Sequence, residues 1–83
     1  MRLRYFAWVR ERIGKAEEDV EVPPHVVSAR DLLEWLRQRG DGYALALQSP
    51  GVIRVAIDQE HADHAAPVAG AREIALFPPM TGG

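Results

Sequence analysis

The chain has 83 residues, no cysteine, and 12 acidic against 10 basic side chains for a formal net charge of -2. That is one domain near the smallest size that folds without a disulfide or metal staple, with no thiolate nucleophile and no zinc-thiolate site. No apolar run approaches the ~20 residues of a membrane span, the opening MRLRYF is unlike a secretory leader and no basic run suggests general nucleic-acid binding, so a cytoplasmic protein with neither membrane nor nucleic acid as partner is expected.

In LRYFAWV, Leu3, Tyr5 and Ala7 alternate with Arg4, Phe6 and Trp8, the period-two pattern of a strand with one buried face. This predicts a strand over 2–7. Val9 and Ile13 stand four apart ahead of Gly14, predicting a short helix that stops at the glycine. Val20 and Val22 alternate with Asp19 and Glu21 up to Pro23 and Pro24. A second strand is expected there, ended by two residues that cannot donate to a ladder.

Ser28 stands three residues before Asp31, a capping box with Asp in place of Glu or Gln. Ala29, Leu32, Leu33 and Leu36 then form one apolar stripe, with Trp35 on its flank and Gly40 placed as a C-terminal cap. These predict the main helix. Tyr43, Ala44 and Leu47 predict another turn or two of helix, closed by Ser49, Pro50 and Gly51. Ile53, Val55 and Ile57 alternate with Arg54, Ala56 and Asp58 as a third strand. The stretch QEHADHAAPVAGA is turn-rich, with room for one very short strand. Glu73 to Phe77 is the last strand, Ile74 and Leu76 inward, and Pro78 ends it.

One main helix set between strands, with strands toward both ends of the chain, predicts an α+β fold of the β-grasp, or ubiquitin-like, kind: a mixed sheet of four to five strands covered on one face by that helix. A ferredoxin-like arrangement needs a second full helix before the last strand, and PVAGARE is too short and glycine-rich to supply it. Residues 1–77 are expected to form the β-grasp domain and 78–83 an extended tail.

Few side chains suggest chemistry. The spacing of His61, Asp63 and His64 fits no standard metal site, so the segment reads as a solvated turn and no metal is expected. His25 follows two prolines in a connection, with no matched acid or nucleophile. GDG at 40–42 and GVI at 51–53 are turn signals rather than a phosphate loop. Ser28 serves as a helix cap rather than a nucleophile. The domain therefore offers no catalytic site of its own.

What remains is the closing LFPPMTGG. Pro78 and Pro79 remove two backbone donors and favour an extended path away from the sheet. Gly82 and Gly83 could enter a channel too narrow for a β-carbon. On physical grounds the segment is either a working arm or a frayed end.

LRYFAWVRERIG, the ALAL near 44–47, VAIDQ at 55–59, PVAGAREIAL and above all FPPMTGG resemble the small-subunit family of molybdopterin synthase, over essentially the whole chain. Gly-Gly alone is shared with ubiquitin-like proteins and the thiamine sulfur carrier; the longer tail motif is more specific. The turn departs in one place: the family often has an acidic pair after its glycine, where this chain has Ala71 and Arg72.

The resemblance implies a sulfur carrier. An E1-like activating enzyme would join Gly83 to AMP from ATP, and sulfur from a desulfurase or rhodanese would displace AMP to leave a terminal thiocarboxylate. Pro78, Pro79, Met80, Thr81 and Gly82 would thread that group into the large synthase subunit, in a heterotetramer of two small and two large subunits. There it would donate sulfur to cyclic pyranopterin monophosphate, building the molybdopterin dithiolene. Catalysis would belong to the partner, and no cofactor would be bound tightly. Alternatives from other classes are a ubiquitin-like protein modifier, and a sulfur carrier for thiamine or tRNA thiolation.

Parity places the docking surface. If the first and last strands are neighbours, Phe6 and Phe77 share the face opposite Leu3, Tyr5, Ile74 and Leu76, with Ala56 and Ala75 nearby. Phe6, Phe77 and His61 are the expected partner-binding patch. The competing arrangement tucks Phe6 beneath the first short helix.

Overall fold

Leu3 and Tyr5 project to one side of the first strand and are almost wholly buried, at 0% and 1% exposure. In the computed structural model, which describes residues 1–79, this strand, β1, spans Arg2–Tyr5. It is followed by α1 (Ala7–Ile13), β2 (Glu17–Asp19), α2 (Ala29–Arg37), α3 (Asp41–Ala46), a 3-10 turn (Pro50–Val52), β3 (Arg54–Ile57), β4 (Glu60–Ala62) and β5 (Glu73–Phe77). The strands form one sheet in the order β2-β1-β5-β3-β4. β1 and β5 run parallel, and every other neighbouring pair is antiparallel. A first and a last strand paired in parallel at the centre, with a helix layer over one face, make the ubiquitin-like β-grasp fold that the element order predicts.

The core lies between that face and the helices. Leu3, Tyr5, Val55, Ile74 and Leu76 from the sheet meet Ala29, Leu32, Leu33 and Leu36 of α2, together with Val9 and Tyr43 from the two shorter helices. Each fully buried leucine contributes roughly 1.5–3 kcal/mol. The start of α2 is fixed as the sequence suggests. The Asp31 N–H donates to Ser28 Oγ at 3.2 Å, while Asp31 Oδ2 accepts from the Ser28 and Val27 N–H groups at 3.1 Å each. Gly14 ends α1 at φ 91°, in the left-handed region, and its N–H donates to Arg10 O.

Three local expectations are corrected. The first strand stops at Tyr5 instead of reaching Ala7, because Phe6 becomes the N-cap of α1 and Ala7 turns the chain at φ 52°. The apolar residues after Tyr5 then follow the helical period, with Val9 in the core. The second strand lies at Glu17–Asp19, ahead of the Val20 and Val22 alternation. Its register on β1 is Arg2 to Asp19 and Arg4 to Glu17, so charge pairing marks it where apolar alternation does not. Gly40 does not cap α2, whose C-cap is Gln38; it is the N-cap of α3, and its carbonyl accepts from the Ala44 N–H at 2.9 Å.

Glu18 faces the core side of β2, opposite Leu3, and ties that short strand to the helix layer. Tyr43 Oη and Tyr5 Oη donate to its Oε2 at 2.6 and 2.7 Å, and Lys15 and Arg39 stand 3.5 and 3.6 Å from its Oε1. Burial pushes the carboxyl up, but the two phenol hydrogen bonds and the two cations outweigh it and hold the group below the ordinary glutamate range. Burial and the bond to Glu18 push the Tyr5 phenol well above its ordinary value.

Candidate functional site

The face of the sheet away from the helices is built row by row from the strand registers. Residues opposite one another across a ladder share a face, so Glu17, Arg4, Ala75, Ala56 and His61 form one row from edge to edge. In the next row toward the end of β5, Phe77 stands opposite Arg54. Phe6 follows β1 directly and is 39% exposed. Its N–H donates to Leu76 O at 3.1 Å, which fixes it beside the end of β5.

This face divides into two halves. Toward β2 it is neutralised by its own ion pairs: Arg2 with Glu17 at 2.9 Å and Asp19 at 3.0 Å, and Arg4 with Glu17 at 3.7 Å and Glu73 at 3.8 Å. Toward β4 it is apolar and aromatic. The two alanines face one another at the centre, and the His61 ring meets Phe77 edge-on, centroids 5.4 Å apart with an 84° angle between planes. The Arg4 guanidinium lies 5.4 Å from the centroid of the Phe6 ring and joins the halves.

The structure thus brings His61 and Phe77 into contact, and it places Phe6 at the end of the same strand pair, exposed rather than tucked under α1. Two further members went unnoticed in the sequence, Arg4 and Arg54. An arginine alternating with apolar residues reads as a solvated strand position, and only the register between distant strands shows which aromatic it borders.

The other candidates have local duties. The His64 ring Nε2 lies 2.7 Å from Ile53 O, tying the segment after β4 to the start of β3. Asp63 Oδ1 accepts from the Ala65 N–H at 3.0 Å. Ser28 caps α2, and His25 is exposed. Among the described residues no three His, Asp or Glu side chains are grouped to hold a metal ion, and no helix is long and apolar enough to cross a membrane.

The chain leaves β5 after Phe77, and Pro79 borders a groove of about 420 Å³ shared with Val52, Arg54, His61 and His64. The expected arm residues Met80, Thr81, Gly82 and Gly83 lie outside the described residues. The root of the arm is therefore next to the aromatic half of the open face.

A model described as the ThiS family matches residues 3–83. A molybdopterin synthase sulfur carrier subunit from Haemophilus influenzae is 39% identical over 79 residues, covering 95% of this chain and 94% of that protein. The molybdopterin synthase sulfur carrier subunit of Escherichia coli is 32% identical over 83 residues, covering 100% and 99%. Among solved structures, small archaeal modifier protein 1 of H. volcanii is similar with a TM-score of 0.71 at 28% identity, over 96% of this chain and 97% of that one.

Proposed function

Because the chain belongs to the ThiS family, we propose that it is the sulfur carrier subunit of a molybdopterin synthase, working from the cytoplasm. The observation that carries this reading is the match, across nearly the full length of both proteins, to two sulfur carrier subunits of that enzyme.

The chemistry follows from what the chain has and lacks. With no cysteine, the chain cannot carry sulfur as a persulfide, and this reading assigns it to the terminal acyl group. The Gly83 carboxylate attacks the α-phosphate of ATP, held by an activating enzyme, and releases pyrophosphate. Sulfide then attacks the acyl adenylate, the acyl–oxygen bond to AMP breaking as the carbon–sulfur bond forms, and leaves the thiocarboxylate. When the donor is a protein persulfide, the acyl disulfide formed first is cleaved to the thiocarboxylate by a thiol reductant. In the large subunit that sulfur would form a carbon–sulfur bond to the pterin precursor as a carbon–oxygen bond there breaks and its oxygen leaves, and water would then cleave the resulting thioester to return the carboxylate. Two such transfers complete a dithiolene. This chain supplies sulfur and a docking face, formed by Phe6, Phe77 and His61, while the acid-base groups belong to the partner.

The test is reconstitution. The chain is incubated with ATP, sulfide and the activating enzyme, and its intact mass is followed for replacement of one oxygen by sulfur; the product is then given to the large subunit with the precursor. Thiocarboxylate formation followed by dithiolene formation is the expected result.

A second reading, a protein modifier, is favoured by the likeness to small archaeal modifier protein 1. It uses the same adenylate but ends in an isopeptide bond. Covalent adducts in extracts that vanish when Gly83 is deleted, without rescue of molybdoenzyme activity, would select it.

A further inference from the structure

The two halves of the open sheet face differ in how their charge is balanced. Arg2 and Arg4 are matched within the chain by Glu17, Asp19 and Glu73. Arg54 is exposed and makes no ion pair within 4.0 Å among the described residues. Asp63, which lines the same groove, accepts the Ala65 N–H at Oδ1 and forms no ion pair with Arg54. Arg54 nevertheless stands opposite Phe77 across the β3–β5 ladder and lines the groove at Pro79. It sits at the margin of the aromatic patch, where the chain leaves the sheet.

A surface that closes over Phe77 and His61 brings Arg54 to its rim, partly out of water. A guanidinium left unmatched there weakens docking, whereas a carboxylate placed against it strengthens docking and steers the encounter. Resting on the reading of this face as the docking surface, we propose that Arg54 is its charged anchor, and that it recognises a partner protein surface that is apolar at its centre and places a carboxylate against Arg54. The planar fork of arginine suits a two-point grip on a carboxylate. The self-neutralised β2 half would add little to the choice of partner.

The experiment measures binding of the full chain to the purified large synthase subunit and, separately, to the purified activating enzyme, by titration calorimetry at low and high salt. Arg54→Ala is expected to raise Kd by about tenfold or more at low salt, with the difference shrinking as salt screens the pair. Arg54→Glu should lose more, and Arg54→Lys should recover part of the loss. Thermal unfolding should stay at the native midpoint in all three variants, since Arg54 lies outside the core. Phe77→Ala reports on the face itself. If Phe77→Ala weakens binding while Arg54→Ala binds both partners within about twofold of native at every salt concentration, the anchor is disproved and the docking face stands. If Phe77→Ala also binds normally, the face is wrong and the anchor falls with it.

Discussion

Leu76 and Phe77 are consecutive in β5 yet belong to different environments: Leu76 is wholly buried opposite Val55, and Phe77 lies on the open face against the His61 ring. The same substitution should therefore produce different failures. Leu76→Asp buries an unpaired carboxylate in the core and is expected to cost more than ~4 kcal/mol, enough to unfold a domain of this size. Phe77→Asp should cost about 1 kcal/mol or less in folding and weaken binding to the large subunit at least ~100-fold if the face docks there. Urea unfolding and a binding titration separate the two; parallel losses in both assays would overturn the assignment of faces.

Acid sensitivity should concentrate at Glu18. Its folded carboxyl titrates below the ordinary value of 4.5: burial opposes this, and the Tyr43 and Tyr5 hydrogen bonds with the Lys15 and Arg39 charges more than offset it. A depressed folded value means that the stabilisation is fully present above the unfolded value and is lost as pH falls through the folded one. Glu18→Gln should therefore cost about 1–3 kcal/mol near neutrality. The gap to the native protein should narrow below about pH 4. A gap that stayed constant down to pH 2 would show that the charge of Glu18 contributes nothing.

Gly42 and Gly51 make a paired test of packing against propensity. A β-carbon on Gly42 would stand 2.7 Å from the Arg12 carbonyl oxygen, whereas one on Gly51 would meet nothing within 4 Å. Helix propensity alone predicts that Gly42→Ala stabilises α3 by about 1 kcal/mol. The clash with α1 backbone, at about 1–3 kcal/mol, should reverse the sign and lower the midpoint by several degrees (~4–8 °C per kcal/mol). Gly51→Ala should leave it unchanged or slightly raised. A stabilised Gly42→Ala would mean that α1 and α3 are not so closely apposed.

These contrasts explain what could be read from the sequence and what could not. The capping box of Ser28 and Asp31, the stripe of α2 and the span of β5 follow from local chemistry, and all three appear in the structure. Apolar alternation does not locate β2 because its ladder is written in charges, Asp19 against Arg2 and Glu17 against Arg4, while the apolar alternation at Val20 and Val22 lies where β1 has run out. The end of β1 was overextended because Phe6 and Ala7 continue the alternation in sequence while the backbone turns at Ala7. Parity, taken with the first and last strands as neighbours, puts Phe6 and Phe77 on one face, and the parallel β1–β5 ladder supplies that neighbour. Arg54 required knowing that β3 is the antiparallel neighbour of β5, which no local pattern encodes.

None of the three histidines should be needed for sulfur transfer. His25 is exposed, His64 lies against a backbone carbonyl, and His61 packs on Phe77. In the reconstituted system, alanine at each position should leave thiocarboxylate formation and a single turnover of sulfur transfer intact. His64→Ala should lower stability by about 1 kcal/mol through loss of its contact with Ile53 O. His61→Ala should change only the concentration of partner needed. A variant that docks normally but transfers no sulfur would establish an acid-base role in this chain.

On the proposed function the strongest demand falls on Gly83, whose carboxylate would be the group activated. A residue adds ~3.3–3.6 Å of reach, and a misplacement of ~1 Å at a reacting centre can cost about 100-fold. Deleting Gly83 should therefore stop activation, even though Gly82 leaves an equally slim terminus. Adding one alanine after Gly83 should be as damaging, because it would overshoot by a residue and put a β-carbon at the terminus, which a channel fitted to glycine would exclude. Neither change touches the core that Leu3, Ile74 and Leu76 form with α2, so thermal unfolding of both variants should match the native protein. The measurement is intact mass after incubation with ATP, sulfide and the activating enzyme. The native chain should gain the mass of sulfur for oxygen and both variants should not, and a thiocarboxylate formed at the native rate on either altered terminus would show that position along the arm is not what the activating enzyme reads.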